Sequence, residues 1–80
     1  MSENNNAVLK LNLEGLLCPL PVVKIYQAIK DVPIGGVIEA VATDPGVMAD
    51  IPAWCRTSGN ELLNMERDGK AIRFRVQRNK

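Results

Sequence analysis

The chain has 80 residues, 46% of them hydrophobic, and a formal net charge of +1 at pH 7. This length suits one domain with a small core and leaves no room for a second, and so small a charge does not identify a partner. No apolar run is long enough to span a bilayer and the chain does not begin like a secretory signal. We expect a disordered tail at residues 1–7, a single domain at residues 8–80, a cytoplasmic location and no membrane association.

Hydrophobic periodicity predicts a strand, a helix and a second strand in the first half of the chain. The first strand is indicated by alternating leucines at Leu9, Leu11 and Leu13. A helical stripe with i, i+3, i+4 and i+7 spacing is formed by Val22, Ile25, Tyr26 and Ile29. It predicts a helix from position 19 to about position 30. Residues 37–43 are rich in β-branched side chains and lie between a glycine pair and an Asp-Pro, so they predict a second strand, parallel to the first.

The second half of the chain predicts a helix followed by a β-hairpin. Pro52 interrupts the helical pattern, so we expect an irregular turn and then a helix from about Asp50 to position 57 or 58, ended by Gly59. Its apolar side would contain Val47, Ile51, Trp54 and Cys55. The hairpin would turn at Asp-Gly, residues 68–69. Its inward residues would be Leu63 and Met65 on the first strand and Ile72, Phe74 and Val76 on the second.

The predicted element order is therefore βαβαββ. Two helices and one sheet pack most simply as an α+β two-layer sandwich, with both helices on one face of the sheet.

A cysteine lies between the first strand and the first helix, in the segment Gly-Leu-Leu-Cys-Pro-Leu-Pro at residues 15–21. With Cys18 as the helix N-cap and Pro19 at the first helical position, the N–H groups of Cys18 and Leu20 would lie near the sulfur. These donors and the positive helix end favour a thiolate, so we predict a lowered pKa and a nucleophilic role for Cys18. The alternative is a small buried hydrophobe.

The residues around this cysteine are predicted to support it. Gly15 permits a tight approach from the strand. Helix propensity does not select Pro21, so we interpret Pro19 and Pro21 as stiffening a functional platform, and we expect Pro21→Ala to change stability little.

The second cysteine and the lack of histidine narrow the chemistry. Cys55 lies mid-helix on the apolar side, so we expect a slowly reacting core residue; a resolving thiol that pairs with Cys18 is the alternative. Without histidine, the chain cannot perform Cys-His acyl transfer or supply the ligands of a usual structural zinc site. We expect no metal and no cofactor. Thiol exchange stays open, because an ionised thiol needs no general base.

The ordered motifs resemble the TusA/SirA-like family of small sulfur carriers, whose mark is Cys-Pro-x-Pro after a Gly-Leu-x approach. The match continues through Thr-Asp-Pro at 43–45, Asp-Ile-Pro-Ala-Trp-Cys at 50–55 and Gly-Asn-Glu-Leu at 59–62, and covers roughly residues 8 to 78. The resemblance implies the same fold. It also implies a four-stranded mixed sheet of order 1-2-4-3, with strand 4 antiparallel to the rest.

The resemblance further implies a function for Cys18. It would accept sulfane sulfur from a cysteine desulfurase or a rhodanese-like donor, hold it as a persulfide and yield it to a cysteine of an acceptor protein. The chain would then be a sulfurtransferase or carrier without a complete active site of its own. Exposed faces of Leu17 and Leu20 would suit a docking protein, unless both side chains turn inward. Carriers in tRNA thiolation often have arginine and an acidic residue at these two positions, so the pathway stays open.

The alternative function is a non-catalytic regulatory module of the same fold that binds RNA or a protein. RNA would be contacted through Lys10, Arg73, Arg75, Arg78 and Lys80. The low net charge and the scarcity of aromatic residues oppose this alternative, so we do not expect a nucleic-acid partner.

Overall fold

The computed structural model describes residues 7–80, which form four strands and two α-helices. The strands are β1 (Val8–Leu13), β2 (Val37–Ala42), β3 (Glu61–Asp68) and β4 (Ala71–Gln77). The helices are α1 (Leu20–Ala28), which continues into a 3₁₀ turn at Ile29–Asp31, and α2 (Val47–Ser58). The predicted tail lies, apart from Ala7, outside the described residues. Within residues 7–80, no helix is long and apolar enough to cross a membrane.

The sheet has the order β1-β2-β4-β3. Strand β1 is parallel to β2, whereas β4 is antiparallel to both of its neighbours. The predicted α+β sandwich, its mixed sheet and its strand order are therefore confirmed. The core is formed by inward residues of the strands and the apolar sides of both helices. Its most deeply buried members include Leu13, Ile25, Ile38, Ala42, Val47, Ile51, Ile72, Phe74 and Val76.

Helix α1 begins one residue later than predicted. Pro19 takes the N-cap position, so the prediction that Cys18 is the N-cap is wrong. The turn before the helix is closed by the backbone instead, because the N–H of Leu20 donates to the carbonyl of Leu17 over 2.8 Å. The predicted stripe is largely confirmed, because Ile25 and Ile29 are buried and Val22 packs against the core. Tyr26 is the exception: it is 54% exposed and lies under the ammonium group of Lys30.

Helix α2 begins at Val47, earlier than the predicted start near Asp50. Its first turn forms ahead of Pro52 because Val47, Met48 and Ala49 donate their N–H groups to the carbonyls of residues 44–46. Burial of Val47 and Ile51 on one side favours the helix across the proline. The helix ends as predicted, at Gly59, whose φ is +84°.

The hairpin is confirmed, with two local differences. Asp68 still pairs with Ala71, so the tight turn consists of Gly69 and the following lysine rather than of Asp-Gly. A bulge between Leu62 and Asn64 shifts the register of β3. The prediction that Leu63 faces inward is therefore wrong: the extra residue of the bulge leaves Leu63 exposed and turns its preceding neighbour toward the core.

Candidate functional site

Parallel pairing of β1 and β2 brings the segments that follow both strands to one edge of the sheet. Leu13 and Ala42, the last residues of the two strands, are paired. Beyond them, the N–H of Gly15 donates to Oγ1 of Thr43 over 2.9 Å. The N–H of Cys18 donates to Oδ2 of Asp44 over 2.7 Å. The cysteine turn is thus anchored to the loop between β2 and α2.

Glycine is required at position 15 by its backbone and not by lack of space. Gly15 has a φ of +81°, and an added Cβ would meet nothing within 4 Å. This agrees with its predicted role in a tight turn. Leu17 and Leu20, which flank the cysteine and its proline, are 69% and 46% exposed, so neither turns fully inward.

The thiol of Cys18 is exposed and donates a hydrogen bond to a carboxylate. Its Sγ lies 2.8 Å from Oδ2 of Asp50, in the first half of α2. This hydrogen bond raises the pKa of the Cys18 thiol above its ordinary value, and the negative charges of Asp50 and Asp44 raise it further. The resting state is therefore a protonated thiol.

The prediction of a lowered pKa for Cys18 is wrong for a reason visible in the backbone. The two N–H groups expected near the sulfur are engaged elsewhere: that of Cys18 by Asp44, and that of Leu20 by the carbonyl of Leu17. The residue also lies one position before the N-cap, so the helix end is farther from the sulfur than predicted.

The two prolines of the motif occupy different environments. The peptide bond between Cys18 and Pro19 is cis, and the carbonyl of Pro19 accepts the N–H of Val23 over 3.1 Å. Pro21 is among the fully buried side chains. Pro21 is therefore enclosed by the fold, whereas Cys18 in the turn before it is exposed.

Cys55 is 5% exposed and belongs to the hydrophobic core. Burial raises the pKa of its thiol. Both cysteines are free, so the predicted core position of Cys55 is confirmed.

Asp44 and Asp50 were not predicted as site residues. The sequence predictions name Asp50 only as the approximate start of a helix, although Asp44 and Asp50 lie in the motif segments at 43–45 and 50–55. A signal for Asp44 was present, because a parallel β1–β2 pair must bring the residues after both strands together. The position of Asp50 depends on how α2 continues through Pro52, which the hydrophobic pattern does not show.

The basic residues considered for RNA binding do not form one patch. Lys10, Arg73 and Arg75 line a shallow depression on the sheet together with the acidic residues Glu39 and Glu66. Arg75 forms an ion pair with Glu39 at 3.3 Å. Arg78 is directed instead to the carbonyl of Val32, 2.7 Å away, and a second contact reaches the carbonyl of Lys80. Mixed charge of this kind weakens attraction for phosphate.

Comparison with known proteins identifies the family. The family model described as "Sulfurtransferase TusA" matches residues 9–78. The chain belongs to the TusA family.

Individual TusA-family relatives agree with this assignment. The putative sulfur carrier protein YrkF of Bacillus subtilis (strain 168) is 42% identical over 67 residues, which are 84% of this chain and 36% of the relative. The chain thus spans about a third of the length of that relative. The sulfur carrier protein TusA of Pseudomonas syringae pv. syringae (strain B728a) is 41% identical over 61 residues, which are 76% of this chain and 73% of the relative.

A solved structure shares the TusA-family fold. The crystal structure of a SirA-like protein from Desulfitobacterium hafniense matches with a TM-score of 0.71, covering 90% of this chain and 99% of the other. The two sequences are 19% identical, so the likeness concerns the fold.

Proposed function

We propose that this chain is a sulfur carrier that accepts sulfane sulfur as a persulfide on Cys18 and passes it to a cysteine of an acceptor protein. One observation supports the proposal most directly: Cys18 is an exposed free thiol on a turn anchored to the β2–α2 loop, whereas the other cysteine is buried. The names of the relatives, which call them sulfur carriers, point the same way.

The chemistry needs little more than an accessible sulfur and a partner. In exchange at a sulfur–sulfur bond, one sulfur attacks and another sulfur leaves. A cysteine desulfurase or a rhodanese-like protein can present a persulfide as donor. Leu17 and Leu20 offer apolar contact surface beside the turn, which suits a protein partner that brings its own reactive cysteine.

The location we propose is the cytoplasm, and the carrier domain we propose spans residues 8–80. Both cysteines are free, and a carrier thiol of this kind requires a compartment that keeps cysteines reduced.

The experiment is loading by a persulfide-charged donor, read by intact mass and then by peptide mapping. We expect the parent protein and Cys55→Ser to gain the mass of one sulfur atom, mapped to the peptide that contains Cys18. Cys18→Ser should gain none while its circular dichroism spectrum stays that of the parent, because the turn is held by backbone hydrogen bonds that serine preserves. Loading that is absent in the parent, or equal in Cys18→Ser, would overturn the proposal.

A further inference from the structure

A carboxylate touches the sulfur that our proposed function makes the reacting atom. Oδ2 of Asp50 accepts a hydrogen bond from Sγ of Cys18, 2.8 Å away, and the thiol itself is exposed to an incoming partner. A protonated thiol is a poor nucleophile, so sulfur transfer requires that its proton leave. The carboxylate of Asp50 already accepts a hydrogen bond from the thiol, so it is the nearest group that can accept the proton itself.

Resting on the proposed function, we propose that Asp50 is a catalytic residue that accepts the Cys18 proton when the sulfur is loaded and returns it when the sulfur is passed on. Its contact with the reacting atom meets the distance that a general base requires, which is about 2.6–3.2 Å between heavy atoms.

Loading then balances in atoms and charge. A lone pair of the Cys18 sulfur attacks the terminal sulfur of the donor persulfide, R–S–SH, and forms a new sulfur–sulfur bond. The donor's own sulfur–sulfur bond breaks, and its electron pair leaves on the donor cysteine as a thiolate. The Cys18 proton passes to the Asp50 carboxylate. The Cys18 sulfur is oxidised as the donor cysteine sulfur is reduced, so no further oxidant or reductant is needed.

Unloading reverses these roles. A thiolate of the acceptor attacks the terminal sulfur of the Cys18 persulfide, and the bond between the two sulfurs breaks. Its electron pair remains on the Cys18 sulfur, which takes back the proton from the Asp50 carboxylic acid. The Cys18 sulfur leaves more readily when a proton is transferred to it as the sulfur–sulfur bond breaks. The same contact between Asp50 and Cys18 therefore assists both half-reactions.

The second carboxylate has a different task. Oδ2 of Asp44 accepts the Cys18 N–H at 2.7 Å, and its Oδ1 accepts the N–H of Gly46 at 3.3 Å. Both carboxylate oxygens of Asp44 thus accept hydrogen bonds from backbone N–H groups and position the turn. The carboxylate of Asp50 instead accepts a hydrogen bond from the thiol. Asp44 from the β2–α2 loop and Asp50 from α2 are the charged groups that act on Cys18.

The test compares two reactions of the Cys18 sulfur in the parent protein and in Asp50→Asn. Alkylation by iodoacetamide reports the free thiolate, and it should become faster in Asp50→Asn near neutral pH because a negative charge is removed. Loading from a persulfide-charged donor should instead become at least about tenfold slower, because the proton acceptor is lost. In the parent, the loading rate should also be nearly independent of pH around neutral, because the proton acceptor is already in contact with the thiol. In the variant it should rise with pH throughout.

Asp44→Asn is the matched control, because it also removes a negative charge beside Cys18. Its single amide oxygen can still accept the N–H of Cys18, while the weaker contact with the N–H of Gly46 is lost. We expect it to accelerate alkylation without the loss of the flat pH region. Asp50→Glu, which restores a carboxylate, should recover part of the loading rate and shows that the loss does not stem from misfolding. If Asp50→Asn loads as fast as the parent or faster, the role of Asp50 is overturned while the carrier function stands. If the parent does not load at all, the carrier function falls and the role of Asp50 with it.

Discussion

Cys18 keeps its proton because two carboxylates lie beside its sulfur and its nearest backbone donors are engaged elsewhere. The raised pKa makes the ionised fraction of Cys18 smaller, but it makes each thiolate in that fraction more nucleophilic. The reason is that the nucleophilicity of a thiolate rises with its pKa. A resting thiol of this kind becomes a nucleophile mainly where a partner or a neighbouring base removes its proton.

We therefore expect the alkylation rate of Cys18 to keep rising with pH beyond the ordinary ionisation range of a free cysteine. The physical reason is the raised pKa: the folded protein binds the thiol proton more tightly than the unfolded chain does, so ionisation is delayed to higher pH. The measurement is the iodoacetamide rate at each cysteine as a function of pH, with peptide-level quantification. Cys55 should react more slowly than Cys18 at every pH because it is buried. A midpoint for Cys18 below that of a free cysteine peptide would contradict the geometry.

At the scale of the elements, the two helices use proline in opposite ways. In α1, Pro21 lies in the first turn, where a missing N–H is no loss, and its ring is buried. In α2, Pro52 lies inside the helix and removes one internal hydrogen bond. Because Pro52 interrupts the helical pattern, the sequence predicts a helix start near Asp50, three residues after the observed start at Val47. The hydrophobic pattern alone could not show that the carbonyls of residues 44–46 close a turn ahead of the proline.

These environments predict opposite effects of the same substitution. Pro21→Ala should lower the free energy of unfolding by about 2 kcal/mol, because buried methylenes are lost and the unfolded chain gains freedom. Burial thus reverses the expectation of little change made from propensity. Pro52→Ala should raise it by about 1 kcal/mol, because a regained hydrogen bond and better helix propensity outweigh the freer unfolded chain. Urea denaturation followed by circular dichroism measures both. If both substitutions changed the free energy of unfolding in the same direction, burial and helix position would not explain how these prolines affect stability.

At the scale of the whole molecule, most of the architecture follows from periodicity. Alternation identified the inward residues of β1 and β4, and the βαβ unit required parallel pairing. The strand order came from the resemblance, because period-two patterns do not say which strands are neighbours. Part of the site follows from the architecture as well: parallel β1 and β2 must bring Cys18 near Asp44. The contact with Asp50 could not be predicted, since it depends on the packing of α2 against that edge.

This arrangement predicts that partner recognition is confined to one end of the sheet. Leu17 lies beyond the end of β1, whereas the similarly exposed Ile34 lies before the start of β2, at the opposite end. Leu17→Asn should raise the KM for a protein donor about tenfold, because an apolar contact with the partner is replaced by a polar amide without a new charge beside Cys18. Ile34→Asn is the matched control and should leave the KM unchanged.

Loading from a small persulfide, such as that of glutathione, separates docking from chemistry. It needs no protein interface and should proceed in Leu17→Asn at the rate of the parent. A parallel loss with the small donor would place the defect at Cys18 itself rather than at a docking surface.

The unequal burial of the two cysteines also limits what oxidation can do to this protein. Each copy presents a single accessible thiol at Cys18, while Cys55 is enclosed by the core. Disulfide cross-linking between folded copies must therefore stop at pairs, because a chain joined through Cys18 has no second accessible thiol with which to extend the assembly. For the same reason, one maleimide tag per molecule is the natural stoichiometry of labelling, and a tag placed there reports directly on the turn that meets the partner.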